Sequence, residues 1–577
     1  MKKTINGIAF SIAVSILFFV FLVIALTSVA FLLGGGVSKW LLVLSVIGSI
    51  GFLYYLLYKK NITKPWLWIG IFLSLLASSV WFGSVTIDST YDGNSYHKTA
   101  IGALRYGWNP VRADINTFNS SPENSHKIVD ATGADRTSDE PWVNSYPKAS
   151  WIFAANIYKM TGNIESGKAL NLLAVFIVFL LAFSYLYQKL GRSKSLLVSG
   201  LLAFNPVAVA QLSGYFIDGA MGNLMLALII LLTMVIDKKA KGIQQGPLLY
   251  IAISLILVIV INIKFTGLAY AGITVLCYWI YLLVKKDWKT VLRLSIAGAA
   301  ALIFGLVVVG ASSYIKNTST HGHPLYPLAG NNSIDIMTHN QPASYADKSG
   351  IHKFIESNFG ETANILRAGS LETGDTSLKV PFTISADELA VLGNDPDLRQ
   401  AGYGVWFGGI LLISLIIGIY LLVRYSRKYK TTLPLFLLPL ASVAIIAIAF
   451  DNSWWARYLP QLYLLPIIVL IALMLLKSNI LSKILLFTLL FNIILLGSLQ
   501  ADYQNKYASA IKVNLDVNLL CTAQPPKVYL NGSLSGAMYN IWDRCDTAIP
   551  MTNDAYDIAN KTGEVRLIND IYLVPRG

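Results

Sequence analysis

The chain has 577 residues, of which 55% are hydrophobic and only 13% are charged. A soluble domain carries about 25% charged residues, so this composition excludes an ordinary soluble protein. The formal net charge is +14, but the basic residues lie in short clusters between apolar runs, which excludes nucleic acid as the expected partner.

Apolar runs of membrane-spanning length recur along the chain. A helix needs roughly 20 apolar residues to cross a bilayer, and its backbone groups must be satisfied within the segment. We therefore predict an all-α polytopic membrane protein with about thirteen transmembrane helices. The predicted spans are 8–33, 40–58, 66–83, 168–188, 195–212, 217–236, 247–263, 267–284, 291–314, 403–423, 432–450, 458–476 and 480–498.

Basic residues mark alternate connections between these spans, as the positive-inside rule requires. The pattern predicts a cytoplasmic N-terminus and an extracytoplasmic C-terminal domain, in what we expect to be a bacterial cytoplasmic (inner) membrane. The expected parts are two N-terminal spans (1–65), a membrane module (66–315) that includes a first outer loop (84–165), a long outer loop (316–402), the C-terminal spans (403–498) and a soluble domain (499–577).

The C-terminal domain has its own pattern. Strand-like runs at Lys527–Leu530 and Val565–Val574 predict a small α+β fold. Cys521 and Cys545 are the only cysteines outside the predicted membrane spans. We expect them to form a disulfide, which requires an oxidising compartment.

The first outer loop contains two carboxylates at the predicted membrane surface. Asp88 and Asp92 are four residues apart and share one face if the turn between them is helical. Such a carboxylate can act as a general base toward a hydroxyl group, or bind a metal that holds a phosphate. Solvated loop acids or helix caps remain the alternative interpretation.

The residues after Asp92 carry a family resemblance. The sequence Gly-Asn-Ser-Tyr96-His97 is followed by a short amphipathic helix and by Gly107-Trp-Asn-Pro110. This arrangement resembles the first outer loop of the GT-C superfamily, membrane glycosyltransferases that use polyprenyl-phosphate-linked sugars. Within it, the chain is similar to the aminoarabinose transferase and protein mannosyltransferase-like family. The resemblance implies a catalytic acid in this loop and inversion at the anomeric carbon.

Further motifs follow in the family's order over roughly residues 84–460, and each is weak alone. Two departures stand out. Three spans precede the first loop where many relatives have one, and the loop lacks an Asp-X-Asp pair, which leaves the need for a divalent metal open. The further motifs are Tyr215-Phe-Ile-Asp218, Lys264-Phe-Thr-Gly267, His321-Gly-His323-Pro-Leu-Tyr326-Pro327 and Arg457-Tyr-Leu-Pro460, and the one Asp-X-Asp pair is Asp395-Pro-Asp397.

The resemblance assigns roles to nine residues. We expect a carboxylate to deprotonate an acceptor glycan, lipid or protein, with Asp92 preferred over Asp88. Lys264 and Arg457 would meet the donor phosphate, although a snorkelling lysine and an interfacial anchor are simpler interpretations. The expected catalytic residues are Asp92, Asp88 and Asp218, the expected substrate-binding residues are Tyr96, His97, Lys264, His323, Tyr326 and Arg457, and no metal ligands are assigned.

Other functions remain open. A transporter or flippase for lipid-linked oligosaccharides would have paired internal repeats and broken helices at the midplane, and no repeat is obvious. An O-antigen ligase or polymerase usually places its key residues in one late outer loop. A non-enzymatic assembly scaffold leaves the early acids unexplained.

Overall fold

The structure, a computed structural model, describes residues 2–119, 128–130, 140–240, 242, 246–363, 378–393, 396–514, 527–531, 536, 539–540, 549–552, 565–568 and 571–574. The α-helices are α1 (Lys2–Leu32), α2 (Lys39–Lys59), α3 (Pro65–Val85), α4 (Lys98–Arg105), α5 (Ile115–Asn119), α6 (Glu140–Ser145), α7 (Ala149–Thr161), α8 (Ala169–Leu190), α9 (Arg192–Ala203), α10 (Pro206–Ala210), α11 (Asp218–Ala240), α12 (Pro247–Ile263), α13 (Phe265–Val284), α14 (Trp288–Phe304), α15 (Lys316–His321), α16 (Gly350–Phe359), α17 (Ala386–Leu392), α18 (Phe407–Tyr425), α19 (Pro434–Ala449), α20 (Leu464–Leu475) and α21 (Asn479–Asn514).

The protein is an integral membrane protein built mainly of helices. Within the described residues, nine helical segments are long and apolar enough to cross a membrane, and three apolar helices are shorter. Each predicted span falls on a helix or, at 195–212, on two short helices, so the fold class is confirmed. The count of thirteen remains a prediction, because the three short helices (Pro247–Ile263, Pro434–Ala449 and Pro460–Leu475) and the segment 195–212 fall below spanning length.

Proline explains the interrupted segment at 195–212. The helix α9 ends at Ala203, and a new helix, α10, begins at Pro206. The Asn205 side chain accepts a hydrogen bond from the backbone N–H of Ala208 at 3.1 Å and so caps the second helix. Since proline is favoured at a first helical position and cannot continue a helix without strain, the chain bends here.

The helix α11 lies at the centre of the bundle. Every residue in its most apolar 18-residue window is buried, and it packs against α8 and α12. The helix α1, which is also largely buried, packs against α8 and α2. The first residue of α11, Asp218, is therefore a carboxylate at the end of the most deeply buried helix.

One face of the bundle carries the long connections, and we call it the loop face. It includes the described residues of the segments 86–163, 316–406 and 450–463. The predicted amphipathic helix of the first loop is α4, and the helix that closes this loop is α7, which is buried over most of its length. Asn109 ties the loop to the end of α1 through hydrogen bonds to Phe31 O (2.9 Å) and Gly35 O (3.0 Å).

A five-stranded mixed sheet joins the first loop to the C-terminal tail. Its strands are β1 (Ile128–Asp130), β2 (Lys527–Asn531), β3 (Ile549–Thr552), β4 (Val565–Ile568) and β5 (Ile571–Val574), in the order β1-β3-β2-β5-β4. The pairs β1–β3 and β2–β3 are parallel, while β2–β5 and β4–β5 are antiparallel. Both predicted strand regions of the tail are strands. Cys521 and Cys545 lie outside the described residues, so their pairing remains a prediction.

Candidate active site

Four charged residues from distant parts of the sequence meet at the loop face. Asp92 immediately precedes a π-helical turn, Gly93–His97, and Asp218 opens α11. Lys264 lies in the extended link between α12 and α13, and Arg457 lies in a 3₁₀ turn before α20. Together with Asp397, these four residues form what we call the boundary cluster.

Arg457 and Tyr96 both donate to the same oxygen of Asp92. The Arg457 Nη1 atom lies 3.2 Å from Asp92 Oδ2, and Tyr96 Oη lies 3.3 Å from it. The Asp92 side chain remains 23% exposed, whereas the side chain of Arg457 is only 9% exposed. Asp92 is thus a carboxylate that is held in place and still reached by solvent.

Asp218 links the two basic residues of the cluster. Its Oδ1 atom accepts a hydrogen bond from Lys264 Nζ at 2.7 Å, and its Oδ2 atom lies 3.7 Å from Arg457 Nη1. The position at the start of α11 also favours a negative charge, because the helix dipole is positive there. Tyr458 covers Lys264, whose Nζ atom lies 4.1 Å from the ring centroid.

Asp397 holds Arg457 from the other side. Its Oδ1 atom lies 3.1 Å from Arg457 Nε and also accepts a hydrogen bond from Trp455 Nε1 at 3.1 Å. Its Oδ2 atom accepts a hydrogen bond from Arg399 Nε at 2.9 Å. Arg399 in turn donates to the backbone and side-chain oxygens of Asn340. The long loop therefore fixes the orientation of the Arg457 guanidinium.

Asp92, Asp397 and Arg457 have shifted pKa values in this cluster. Burial raises the pKa of Asp92, and the nearby Arg457 opposes this shift. Burial would also raise the pKa of Asp397, but Arg457 and Arg399 hold it below its usual value. Burial acts to lower the pKa of Arg457, but Asp397, Asp92 and Asp218 raise it well above its usual value. The arginine is therefore a permanent cation, while Asp92 is the carboxylate better suited to accept a proton.

Asp88 lies in a separate group of charges, which we call the loop-core cluster. Glu165 accepts from Lys98 at 2.7 Å and from Lys168 at 2.6 Å. Lys98 also lies 4.0 Å from Asp88. Two acids and two lysines thus balance within the protein interior, where an unpaired charge would be costly.

The helical turn that would place Asp88 and Asp92 on one face is absent. Residues 88–90 are not helical, and Asp88 is only 1% exposed. Its Oδ1 atom accepts hydrogen bonds from Thr90 N (3.0 Å), Thr90 Oγ1 (2.8 Å) and Tyr215 N (3.2 Å). A Cβ added at Gly93 would lie 1.8 Å from Asp88 Oδ2, so glycine is required where the chain crosses this carboxylate.

His97 faces the protein interior. It is 1% exposed, and its Nδ1 atom accepts a hydrogen bond from Trp151 Nε1 at 2.6 Å. Burial, together with the positive charges of Arg457 and Lys264, lowers the pKa of His97 to about 3. The imidazole is therefore neutral, and its contact with Trp151 anchors α7 to the first loop.

His323 and Tyr326 lie at the edge of the long loop. Tyr326 stacks on His321 with ring centroids 3.8 Å apart, and His323 Nδ1 accepts a hydrogen bond from Leu325 N at 3.2 Å. Asn317 connects this turn to the first loop through hydrogen bonds to Tyr326 O and Ser145 O. Among the described contacts, none joins His323 or Tyr326 to the boundary cluster, so their role in substrate binding remains a prediction.

Asp397 of the boundary cluster, and Glu165 and Lys168 of the loop-core cluster, have no role predicted from the sequence. Asp397 stands there only in an Asp-X-Asp pair, although an aspartate two residues from Arg399 can form an ion pair locally. Glu165 and Lys168 lie at the start of an apolar span, and this position is itself a signal, since ionisable residues there are costly. No group of three or more His, Cys, Asp or Glu side chains in the described part of the chain is arranged to hold a metal ion.

Comparisons with known proteins give structural matches only. No protein-family model and no curated protein matches the chain. Solved structures that match include ArnT from Cupriavidus metallidurans in the apo state, which aligns with 88% of this chain and 97% of its own at 10% identity, with a TM-score of 0.46. ArnT from the same organism bound to undecaprenyl phosphate aligns over the same shares at 11% identity, with a TM-score of 0.41.

Proposed function

We propose that the protein is an inverting membrane glycosyltransferase that takes its sugar from a polyprenyl-phosphate donor. The observation that carries this proposal is the convergence of a partly exposed carboxylate, Asp92, with two basic side chains, Lys264 and Arg457, at the membrane boundary. Charged groups at the end of a buried helix are costly and tend to be functional. The sequence motifs that resemble the GT-C superfamily contain these same residues.

The two basic residues suit the phosphate of a lipid donor. A planar guanidinium can bind two phosphate oxygens at once, while an ammonium adds a point charge. Lys264 lies between two apolar helices, and Arg457 lies in a turn before a third. A polyprenyl chain in the bilayer could therefore present its phosphate to them directly. Their positive charge would stabilise the negative charge that develops as the phosphate leaves.

Asp92 is the proposed general base. Its carboxylate takes the proton of an acceptor hydroxyl, and the oxygen forms a new bond to the anomeric carbon of the sugar. The bond between that carbon and the phosphate oxygen breaks, and its electron pair leaves with the polyprenyl phosphate. A single attack from the opposite side inverts the configuration at the anomeric carbon. Each proton and electron pair has a destination in this scheme.

The loop face is where transfer would take place, and we place it outside the cytoplasm. The basic connections predicted to be cytoplasmic alternate with the connections on the loop face, which places them at the other side of the bundle. Glycan, lipid or protein acceptors would approach from the extracytoplasmic side of a bacterial cytoplasmic membrane. The long loop, which already contributes Asp397 and Arg399 beside the cluster, would form part of the acceptor site.

The test is a transfer assay with purified wild type and Asp92→Asn. Both are incubated with a panel of radiolabelled polyprenyl-phosphate sugars and a crude envelope acceptor fraction. Removal of a general base costs roughly 10²–10⁴-fold in rate, so the variant should lose transfer while its unfolding temperature stays near that of wild type.

Asp451→Asn is the matched control, because Asp451 is an exposed acid on the same face. It should retain wild-type transfer. If wild type consumes none of the donors but moves lipid-linked oligosaccharides across liposome membranes, the transferase proposal is wrong and the flippase is favoured.

A further inference from the structure

The proposed base is not free in this structure. Arg457 and Tyr96 both donate to Asp92 Oδ2. Arg457 is also the residue that would bind the donor phosphate, so the base and the donor need the same guanidinium. The pairing makes Asp92 a weaker proton acceptor than it would be without Arg457, because the nearby cation stabilises the charged form of the carboxylate.

Asp92 is the partner that can move away from the contact with Arg457. Arg457 is fixed from behind by Asp397, and the guanidinium carbon lies 4.5 Å from the Phe216 ring centroid and 4.7 Å from that of Trp455. Asp92 is the most exposed of the three acids, with 23% of its side chain accessible, compared with 9% for Asp397 and 2% for Asp218.

We propose that Asp92 and the donor phosphate compete for Arg457, so that donor binding releases the base and must precede productive binding of the acceptor. This inference rests on the function proposed above. A phosphate offers two oxygens in the geometry that a guanidinium prefers and can replace a carboxylate oxygen held at 3.2 Å. Until the donor arrives, Asp92 remains paired and cannot activate water or an acceptor.

The same contact gives a route for product release. After transfer, Asp92 carries the acceptor proton and no longer competes for Arg457, so the polyprenyl phosphate stays bound. Loss of that proton to solvent, which the exposure of Asp92 permits, restores the carboxylate. The carboxylate then returns to Arg457 and displaces the phosphate. The ion pair therefore acts as a latch that opens and closes once in each cycle.

The experiment measures binding of undecaprenyl phosphate and, as an uncharged reference, undecaprenol to full-length protein in detergent. Wild type should prefer the phosphate to the alcohol. Asp92→Asn removes the competing charge and should bind the phosphate about tenfold more tightly than wild type, the size expected for one charge-assisted contact. Its affinity for the alcohol should not change.

A second variant distinguishes competition for Arg457 from a general effect of net charge on phosphate binding. Asp397 lies as close to Arg457 as Asp92 does, at 3.1 Å and 3.2 Å, so Asp397→Asn removes a charge at a similar distance. It should bind the phosphate no more tightly than wild type, because Arg457 loses its anchor. Asp451 is an exposed acid outside the cluster, so Asp451→Asn should bind both lipids with the affinity of wild type.

Three results would contradict either the latch or the proposed function on which it rests. Equal tightening by Asp92→Asn and Asp397→Asn would mean that only net charge matters, and the latch would be rejected. Unchanged or weaker phosphate binding by Asp92→Asn, with wild type still preferring the phosphate, would reject the latch and leave the glycosyltransferase standing. No preference for the phosphate in wild type or in Asp92→Asn would overturn the proposed function itself.

Discussion

Asp88 and Asp92 lie four residues apart in the first loop, yet their surroundings differ completely. Asp88 is 1% exposed and belongs to the loop-core cluster, where Glu165 is paired to two lysines. Asp92 has 23% of its side chain exposed and faces Arg457 in the boundary cluster. Burial therefore distinguishes two carboxylates of the same loop, one enclosed within the fold and one accessible enough for the role of general base that we propose.

The two clusters also differ in what their ion pairs achieve. In the loop-core cluster every charge is enclosed and matched, and Asn540 of the tail adds a hydrogen bond to Glu165 at 2.6 Å. In the boundary cluster the cations Lys264 and Arg457 lie beside an accessible carboxylate. Breaking the first should reduce stability, whereas breaking the second should reduce transfer.

The largest effect on stability is expected from Glu165→Gln. The change leaves Lys98 and Lys168 buried with only Asp88 to balance them, and an uncompensated buried charge costs about 3–5 kcal/mol. The unfolding temperature in detergent should fall strongly, while transfer by the folded fraction at low temperature should remain near wild type. Wild-type stability combined with lost transfer would instead place the loop-core cluster in the chemistry.

The control for this variant is Glu356→Gln. Glu356 pairs with Lys348 at 2.7 Å, but both side chains are about one-third exposed. A surface pair of this kind contributes only about 0–1 kcal/mol. A similar loss of stability in both variants would mean that burial does not set the difference between the clusters.

Arg457→Lys should have the next largest effect, and on transfer rather than stability. A lysine keeps the positive charge but loses the planar fork that holds Asp397, Asp92 and the proposed phosphate at once. We expect kcat/KM to fall about 10²-fold, as when one donor to a developing negative charge is lost. Steady-state kinetics over a range of donor concentrations measures this.

Arg399→Lys is the matched comparison for that variant. Arg399 binds the same Asp397 and stacks on Trp455 with its guanidinium carbon 4.3 Å from the ring centroid, but its other nitrogens are used by Asn340. It should reduce transfer much less than Arg457→Lys. An equal loss would indicate that support of Asp397, rather than direct contact with phosphate, is what Arg457 provides.

Much of the fold could be predicted from the sequence, because each long apolar run in the sequence predicts a membrane-spanning helix. The broken segment at Asn205-Pro206 was predicted as one span, since its composition is apolar on both sides of the proline. The composition of the tail predicts the strands at Lys527–Leu530 and Val565–Val574 but not β3 (Ile549–Thr552). That the first loop supplies β1 to the tail's sheet could not be predicted, because this pairing joins Ile128 to Ile549 across most of the chain.

The candidate site was only partly predictable, because it is assembled from residues that lie far apart in the sequence. The resemblance predicts roles for Asp92, Asp218, Lys264 and Arg457, and the last three are also charged residues at the ends of apolar runs. The structure brings these four residues together. The spacing of Asp88 suggested the same face as Asp92, but the local backbone is not helical there. Asp397 could not be assigned, since its position behind Arg457 depends on the path of the long loop.

A smaller effect is expected when pH is varied. Burial raises the pKa of Asp92 and Arg457 opposes that shift, so transfer should be lost as pH falls through the pKa of this base. The loss of kcat/KM at low pH gives the pKa of the base in the free enzyme, whereas the loss of kcat gives its pKa in the donor complex. If the phosphate displaces Asp92 from Arg457, the pKa of Asp92 is higher in the complex. The loss of kcat should then occur about one pH unit above the loss of kcat/KM. If kcat and kcat/KM are lost at the same pH, or in the opposite order, the latch is contradicted.

The smallest expected effect is that of chelation. Metal-dependent transferases use a divalent cation to neutralise the donor phosphate, which is a role that Lys264 and Arg457 can fill with their own charges. Arg457 contacts both Asp92 and Asp218, and Lys264 contacts Asp218, so these carboxylates already have cationic partners. Transfer by protein dialysed against EDTA should therefore equal that of untreated protein, as followed with the radiolabelled donor. Loss of transfer on chelation and its recovery with Mg²⁺ or Mn²⁺ would mean that these acids exchange their basic partners for a metal during the reaction, and the boundary cluster would then be a resting form of a metal site.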